Sequence, residues 1–212
     1  MHSTVRLSPT SAITFAIGVL AVGLLTAAAA PGGQSISATD LMPEFERTQR
    51  SADTLPPSVA TAAAEASLID SSTRLIGENG LGTFWVAEDA SGNICVVSLA
   101  AGESVFSIAC RPRDVFYRQG ISNQFGADSV SSVEVHLIPQ GVKTQPLFQL
   151  RESVEVVTGE EVRVAAAEHV SILGESRLLV LDAEASRVTG EVRLSRDDGE
   201  DLTLPDLGTG RR

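Results

Sequence analysis

Residues Ile94–Cys110 read ICVVSLAAGESVFSIAC, and this stretch decides how the chain folds. Two alternating apolar runs flank Ala101-Gly102-Glu103-Ser104, which has turn composition. Folding the runs onto each other sets Cys95 opposite Cys110, Val97 opposite Ile108 and Leu99 opposite Phe106, all on one face. Val96 with Ala109 and Ser98 with Ser107 take the other face. A slip of one residue scatters both sets, so the pattern specifies one antiparallel register. The cysteines then lie within disulfide reach, and in an exported protein a Cys95–Cys110 bond is expected, structural in role. Trp85, on a strand over Thr83–Glu88, is expected near Val97.

Working outward, the same alternation predicts strands at Thr73–Ile76, Val133–Ile138, Val154–Val157, Val162–Ala166, Val170–Leu173, Arg177–Leu181, Val188–Leu194 and Asp201–Leu204. A three-residue loop Asp197-Asp198-Gly199 pairs Arg196 with Glu200, Leu194 with Leu202 and Val192 with Leu204. Ser58–Ile69 is Ala-rich and predicts a short helix with Ser58 as N-cap. Arg111–Gln119, with Pro112 early and Gly120 just past the end, predicts a two-turn helix. The expected class is α+β, mainly antiparallel β with a few short helices, preceded by one N-terminal apolar helix.

That apolar helix is the run Ile13–Ala30, which carries no charge. Its length is at the lower limit for crossing a bilayer, and Ala27-Ala28-Ala29 also suits a signal-peptide cleavage site. Arg6 precedes the run and the next basic residue is Arg47, which places everything after Ala30 outside. The expected organisation is a signal peptide or transmembrane anchor at 1–30 and a linker and collar at 31–57. An α+β domain with the disulfide hairpin follows at 58–150, then a β-rich C-terminal extension or small second module at 151–212. The expected localisation is extracytoplasmic, secreted or anchored in the cytoplasmic membrane through residues 13–30 if they are uncleaved.

Twenty-seven acidic against 16 basic residues among 212 give a net charge of -11, or -12 once the +1 of Arg6 is removed with residues 1–30. Such a balance excludes nucleic acid as a partner. Three His and two Cys are too few for a multi-Cys zinc module or an iron–sulfur cluster. No cofactor and no metal site is expected; the acids of Asp197-Asp198-Gly199-Glu200-Asp201 are ill-spaced for a calcium loop. His136 and His169 lack a helical metal partner and read as surface or half-buried residues. Gly102-Glu103-Ser104-Val105 lacks the second glycine of a nucleophile elbow. Gly77–Gly82 lies between two strands and reads as a turn, not a phosphate loop. No catalytic residue is assigned. Against the acidic background stands Arg111, Arg113, Tyr117 and Arg118, a candidate patch for an envelope protein or an anionic ligand. On a helix Arg111 and Arg118 share a face; the competing account pairs these arginines with the chain's own carboxylates.

The segment Phe45-x-Arg47-x-Gln49-x-x-Ala52-Asp53-x-Leu55-Pro56 resembles one found in exported or membrane-anchored actinobacterial proteins to which no activity is assigned. Cys95, Cys110 and Leu137-Ile138-Pro139-Gln140-Gly141-Val142 follow in the order that group shows, with Gln140 in place of its usual Asp. The resemblance spans Phe45–Val142 and implies envelope localisation and the disulfide. Phe45 and Leu55 suit apolar anchors that pin the collar onto the domain. The preferred reading is a non-enzymatic extracytoplasmic binding or scaffolding module of the bacterial cell envelope. The alternative is an envelope-polymer hydrolase using paired carboxylates such as Glu160-Glu161.

Overall fold

The structure is a computed structural model that describes residues 36–102, 105–126, 132–153, 156–158, 161–163 and 169–207. The run 13–30, on which the N-terminal helix rests, lies outside the described residues. Among those described, no helix is long and apolar enough to cross a membrane. The class is α+β, with mainly antiparallel sheets and a few short helices.

The first sheet is a meander of β1 (Arg74–Asn79), β2 (Gly82–Glu88), β3 (Ile94–Ala100) and β4 (Phe106–Arg111). The β3–β4 register is the one the alternation requires, with Cys95 opposite Cys110, Val97 opposite Ile108 and Leu99 opposite Phe106. The two cysteines form a disulfide. Trp85 sits directly opposite Val97 on β2. The second sheet has the order β5-β6-β10-β9, from β5 (Ile121–Phe125), β6 (Val133–Leu137), β9 (Val170–Leu173) and β10 (Leu178–Asp182). Strand β10, from the segment after residue 150, pairs directly with β6, and β9 pairs with β10. Short pairs β7 (Val156–Thr158) with β8 (Glu161–Arg163), and β11 (Val192–Ser195) with β12 (Asp201–Leu204), complete the set. In the last pair Leu194 faces Leu202 and Val192 faces Leu204, and Gly199 takes the left-handed φ of 87°.

Alternation sends each sheet's two faces into different cores. Phe84, Val86, Ile94 and Val96 share the central cluster with Ile121, Val135, Leu137 and Val180 of the other sheet. Leu41 and Met42, at the end of α1 (Ala38–Leu41), plug into that cluster, as does Phe116 of α3 (Arg113–Gln119). The outer face of the first sheet buries Trp85 and Val97 against Leu55 and against Val59 and Ala63 of α2 (Pro57–Glu65). The outer face of the second buries Leu179 and Leu181 against Leu147 of α4 (Gln145–Ser153), Ala185 of α5 (Ala183–Thr189), and Leu194, Leu202 and Leu204. At about 1.5–3 kcal/mol for each fully buried large apolar side chain, these three clusters are the main favourable term. The sheets meet at β4 and β5, where Asn123 Nδ2 donates to Ser107 Oγ at 2.6 Å.

Several local expectations are corrected. Arg111 is not helical: it closes β4 opposite Ile94, and α3 starts at Arg113 behind Pro112. A residue preceding proline is pushed out of the helical region towards extended backbone, which keeps Arg111 in the strand. Ser58 is not the N-cap of α2; Pro56 is, with Pro57 preset for the first turn, and the helix stops at Glu65. The strand expected at Val188–Leu194 is helix α5 up to Thr189, with β11 starting at Val192. Asp182 Oδ1 accepts from the N–H groups of Glu184 (3.0 Å) and Ala185 (2.8 Å), and Gly190 ends the helix at φ 64°. Cap and terminator outweigh the β-branched Val188 and Thr189. Residues 154–155 and 164–166 of two expected strands lie outside the described residues.

The collar has a defined attachment. Arg47 makes a two-pronged ion pair with Asp53, Nη1 to Oδ2 at 2.6 Å and Nη2 to Oδ1 at 2.7 Å. Asp53 Oδ1 also accepts from Leu75 N at 2.7 Å, and Arg47 Nη2 donates to Leu75 O at 3.1 Å. The pair thereby satisfies backbone groups of β1 at the register shift between Leu75 and Gly77. Gln49 Nε2 donates to Asp70 O and Thr73 Oγ1, each at 2.8 Å, and Trp85 Nε1 donates to Ala52 O at 3.2 Å. Phe45 packs on the central cluster and Leu55 beside Trp85, as expected for apolar anchors.

Candidate functional site

Of the basic cluster, three members are engaged by the protein itself. Arg113 pairs with Glu88, and Arg118 with Asp114 at 2.9 Å one helical turn away. Tyr117 donates its hydroxyl to Asp198 Oδ2 at 2.7 Å, while Arg196 stacks 3.7 Å from the centroid of its ring. The Tyr117 hydroxyl, with the Glu200 N–H, holds the Asp198 carboxyl below the usual carboxylate range. Arg111 differs. Displaced from the helix to the end of β4, it is exposed and has no acidic partner among the described residues.

Arg111 lines a surface pocket of about 330 Å³ together with Gln119, Gly120, Ser122, Thr203 and Pro205. The pocket brings together the end of β4, the end of α3, the start of β5 and the end of β12. Gly120 permits this convergence: its φ is 63°, and a Cβ there would stand 2.6 Å from Leu137 O. Only glycine lets the chain turn from α3 into β5 so close to β6.

Beneath Ser122 runs a polar chain across the outer face of the second sheet. Ser122 on β5 is directly opposite His136 on β6, and its Oγ lies 2.8 Å from His136 Nδ1. His136 Nε2 lies 2.7 Å from Glu134 Oε1, two residues earlier on the same strand and therefore on the same face. Glu134 Oε2 accepts from Ser186 of α5, and Oε1 accepts from Leu207 N at 3.3 Å. His136 and Glu134 are each 2% exposed, whereas Ser122 is half-buried and is one of the residues lining the pocket. The expectation of a surface or half-buried His136 is thus corrected. His169, by contrast, is half-buried and bonded to Asp182.

The remaining chemistry is accounted for locally. Asp89, Cys95 and Cys110 converge, but the sulfurs are bonded to each other. Both Asp89 oxygens accept from the Ser91–Asn93 turn. That group has no thiolate to offer a metal. Of Glu160-Glu161, residue 160 lies outside the described residues and 161 is described by its backbone alone. No family model, curated protein or solved structure matches the chain.

Proposed function

We propose that the protein is an extracytoplasmic binding or scaffolding module of the bacterial cell envelope, and that it holds a small anionic ligand at the Arg111 pocket. One observation carries the ligand assignment: Arg111 is the member of the basic cluster with no carboxylate partner among the described residues, and it lines a pocket of ligand size. In a chain of net charge -11, a guanidinium with no acidic partner among the described residues is a local attractor for anions. Its fork matches a carboxylate or phosphate, and Gln119, Ser122 and Thr203 add polar atoms around it. The apolar run 13–30 and the disulfide support the extracytoplasmic reading.

Titration with acetate, succinate and inorganic phosphate, followed by backbone NMR shifts, tests the ligand assignment. Shifts should centre on Gln119, Gly120, Ser122 and Thr203, and Arg111→Ser should weaken binding at least about tenfold, the loss of ~1.4 kcal/mol expected from one charge-assisted contact. Shifts spread over the surface and unchanged in Arg111→Ser would overturn it.

A further inference from the structure

The geometry points to Ser122 as a nucleophile: we infer that the pocket accepts esters whose acyl part carries a carboxylate, and that Ser122 takes up the acyl group. The inference rests on the anion-binding reading of the same pocket. A hydroxyl becomes a useful nucleophile when a base stands within hydrogen-bond reach and a third group orients that base. Ser122, His136 and Glu134 meet that requirement at 2.8 and 2.7 Å. Glu134 Oε1 already accepts from the Leu207 N–H, and Oε2 from the Ser186 hydroxyl. The carboxylate is therefore an acceptor, His136 carries its proton on Nε2, and Nδ1 is left as the lone pair facing Ser122 Oγ. The imidazole and carboxylate are buried, whereas Ser122 is half-buried and lines the pocket.

In the reaction, Ser122 Oγ attacks the ester carbonyl carbon as its proton passes to His136 Nδ1. The bond to the leaving alkoxide breaks, the alkoxide takes that proton, and an acyl-serine remains. Water then attacks the acyl carbon with Nδ1 as base; the carboxylic acid leaves and the proton returns to Ser122. Gln119, whose side chain makes no hydrogen bond among the described residues, is the candidate donor to the carbonyl oxygen, and Arg111 holds the ligand's carboxylate. Glu134 and Ser186 are positioning residues.

The test uses the full chain with a fluorophosphonate probe, read by intact mass and peptide mapping. One adduct should form, on the peptide holding Ser122, and succinate should slow its formation. An aryl hemisuccinate should be cleaved at least tenfold faster than the matching aryl acetate, a preference that Arg111→Ser reduces. Glu134→Gln should slow labelling about a hundredfold, and Glu134→Asp should restore part of it, which a purely structural role does not predict. Absence of an adduct at Ser122 in folded wild-type protein overturns the inference. If succinate still shifts the pocket resonances in that case, the binding reading survives on its own. Labelling with no preference for the anionic ester overturns the substrate class.

Discussion

Asp53 is 1% exposed and accepts from both Arg47 nitrogens and from the N–H groups of Arg50 and Leu75. The Arg47 guanidinium, helped by those N–H groups and opposed by burial, holds its carboxyl far below the usual carboxylate range. A carboxylate whose pKa falls on folding adds stability that is complete above its unfolded value, about 3.9, and is lost as pH drops from there towards the folded value. Asp53→Ala should therefore cost about 3–5 kcal/mol at neutral pH, because Arg47 and the Leu75 N–H lose their partner together. In urea titrations the gap to wild type should narrow below about pH 4; a gap independent of pH would refute the assignment. The Arg47–Asp53 pairing was not legible in sequence, although both residues stand in the segment that carries the resemblance, since six residues' separation on an irregular segment has no periodicity to read. Ser122–His136 was not legible at all. Their contact is a cross-strand register, and the strand that carries Ser122, Ile121-Ser-Asn-Gln-Phe125, has three polar residues in its middle and no alternation to announce it.

At the scale of the element, hairpins were readable wherever both faces of a strand are buried against different clusters, because a register shift then fails twice. The β3–β4 pairing followed from this, whereas β11–β12 followed from its Asp197-Asp198-Gly199 loop and the leucines of its one buried face. Helices α4 and α5 were missed for the converse reason: each is too short for its periodicity to be read, and α5 is set by its Asp182 cap and Gly190. The disulfide joins the two strands of one hairpin, so it constrains mainly the unfolded chain. A double Cys95→Ser, Cys110→Ser variant should keep the fold and lose roughly 2–4 kcal/mol, measured by chemical denaturation under non-reducing conditions. A collapse of the β-sheet circular dichroism in that variant would contradict it. Gly120→Ala tests the α3–β5 turn: with its Cβ 2.6 Å from Leu137 O, β5 must shift away from β6. The expected cost is about 1–3 kcal/mol. The Ser122 and His136 resonances should move more than those of the β3–β4 hairpin.

At the scale of the whole molecule, two sheets enclose one core and each carries a second cluster on its back. The pocket sits where β4, α3, β5 and β12 meet, so its residues come from positions 111 to 205 and no short motif could have named it. The extracytoplasmic proposal has its own measurement. A reporter fused after Arg212 should be active only outside the cytoplasmic membrane, and mass spectrometry of the mature N-terminus should separate cleavage near Ala30 from a retained anchor. Activity of the reporter in the cytoplasm would overturn it.

The collar bears on how the domain would carry load. Tension applied at Ile36 does not reach the sheets directly. It first meets Ile36, Ala38, Leu41 and Met42, packed on the central core, with Arg113 Nη1 donating to Ile36 O at 3.4 Å and Gln140 N to Leu41 O at 2.8 Å. It then meets the Arg47–Asp53 clasp on β1. Two anchorages in series would have to yield before any strand peels. A domain pulled from its N-terminal side should therefore extend first by release of residues 36–56, with both sheets and the pocket intact.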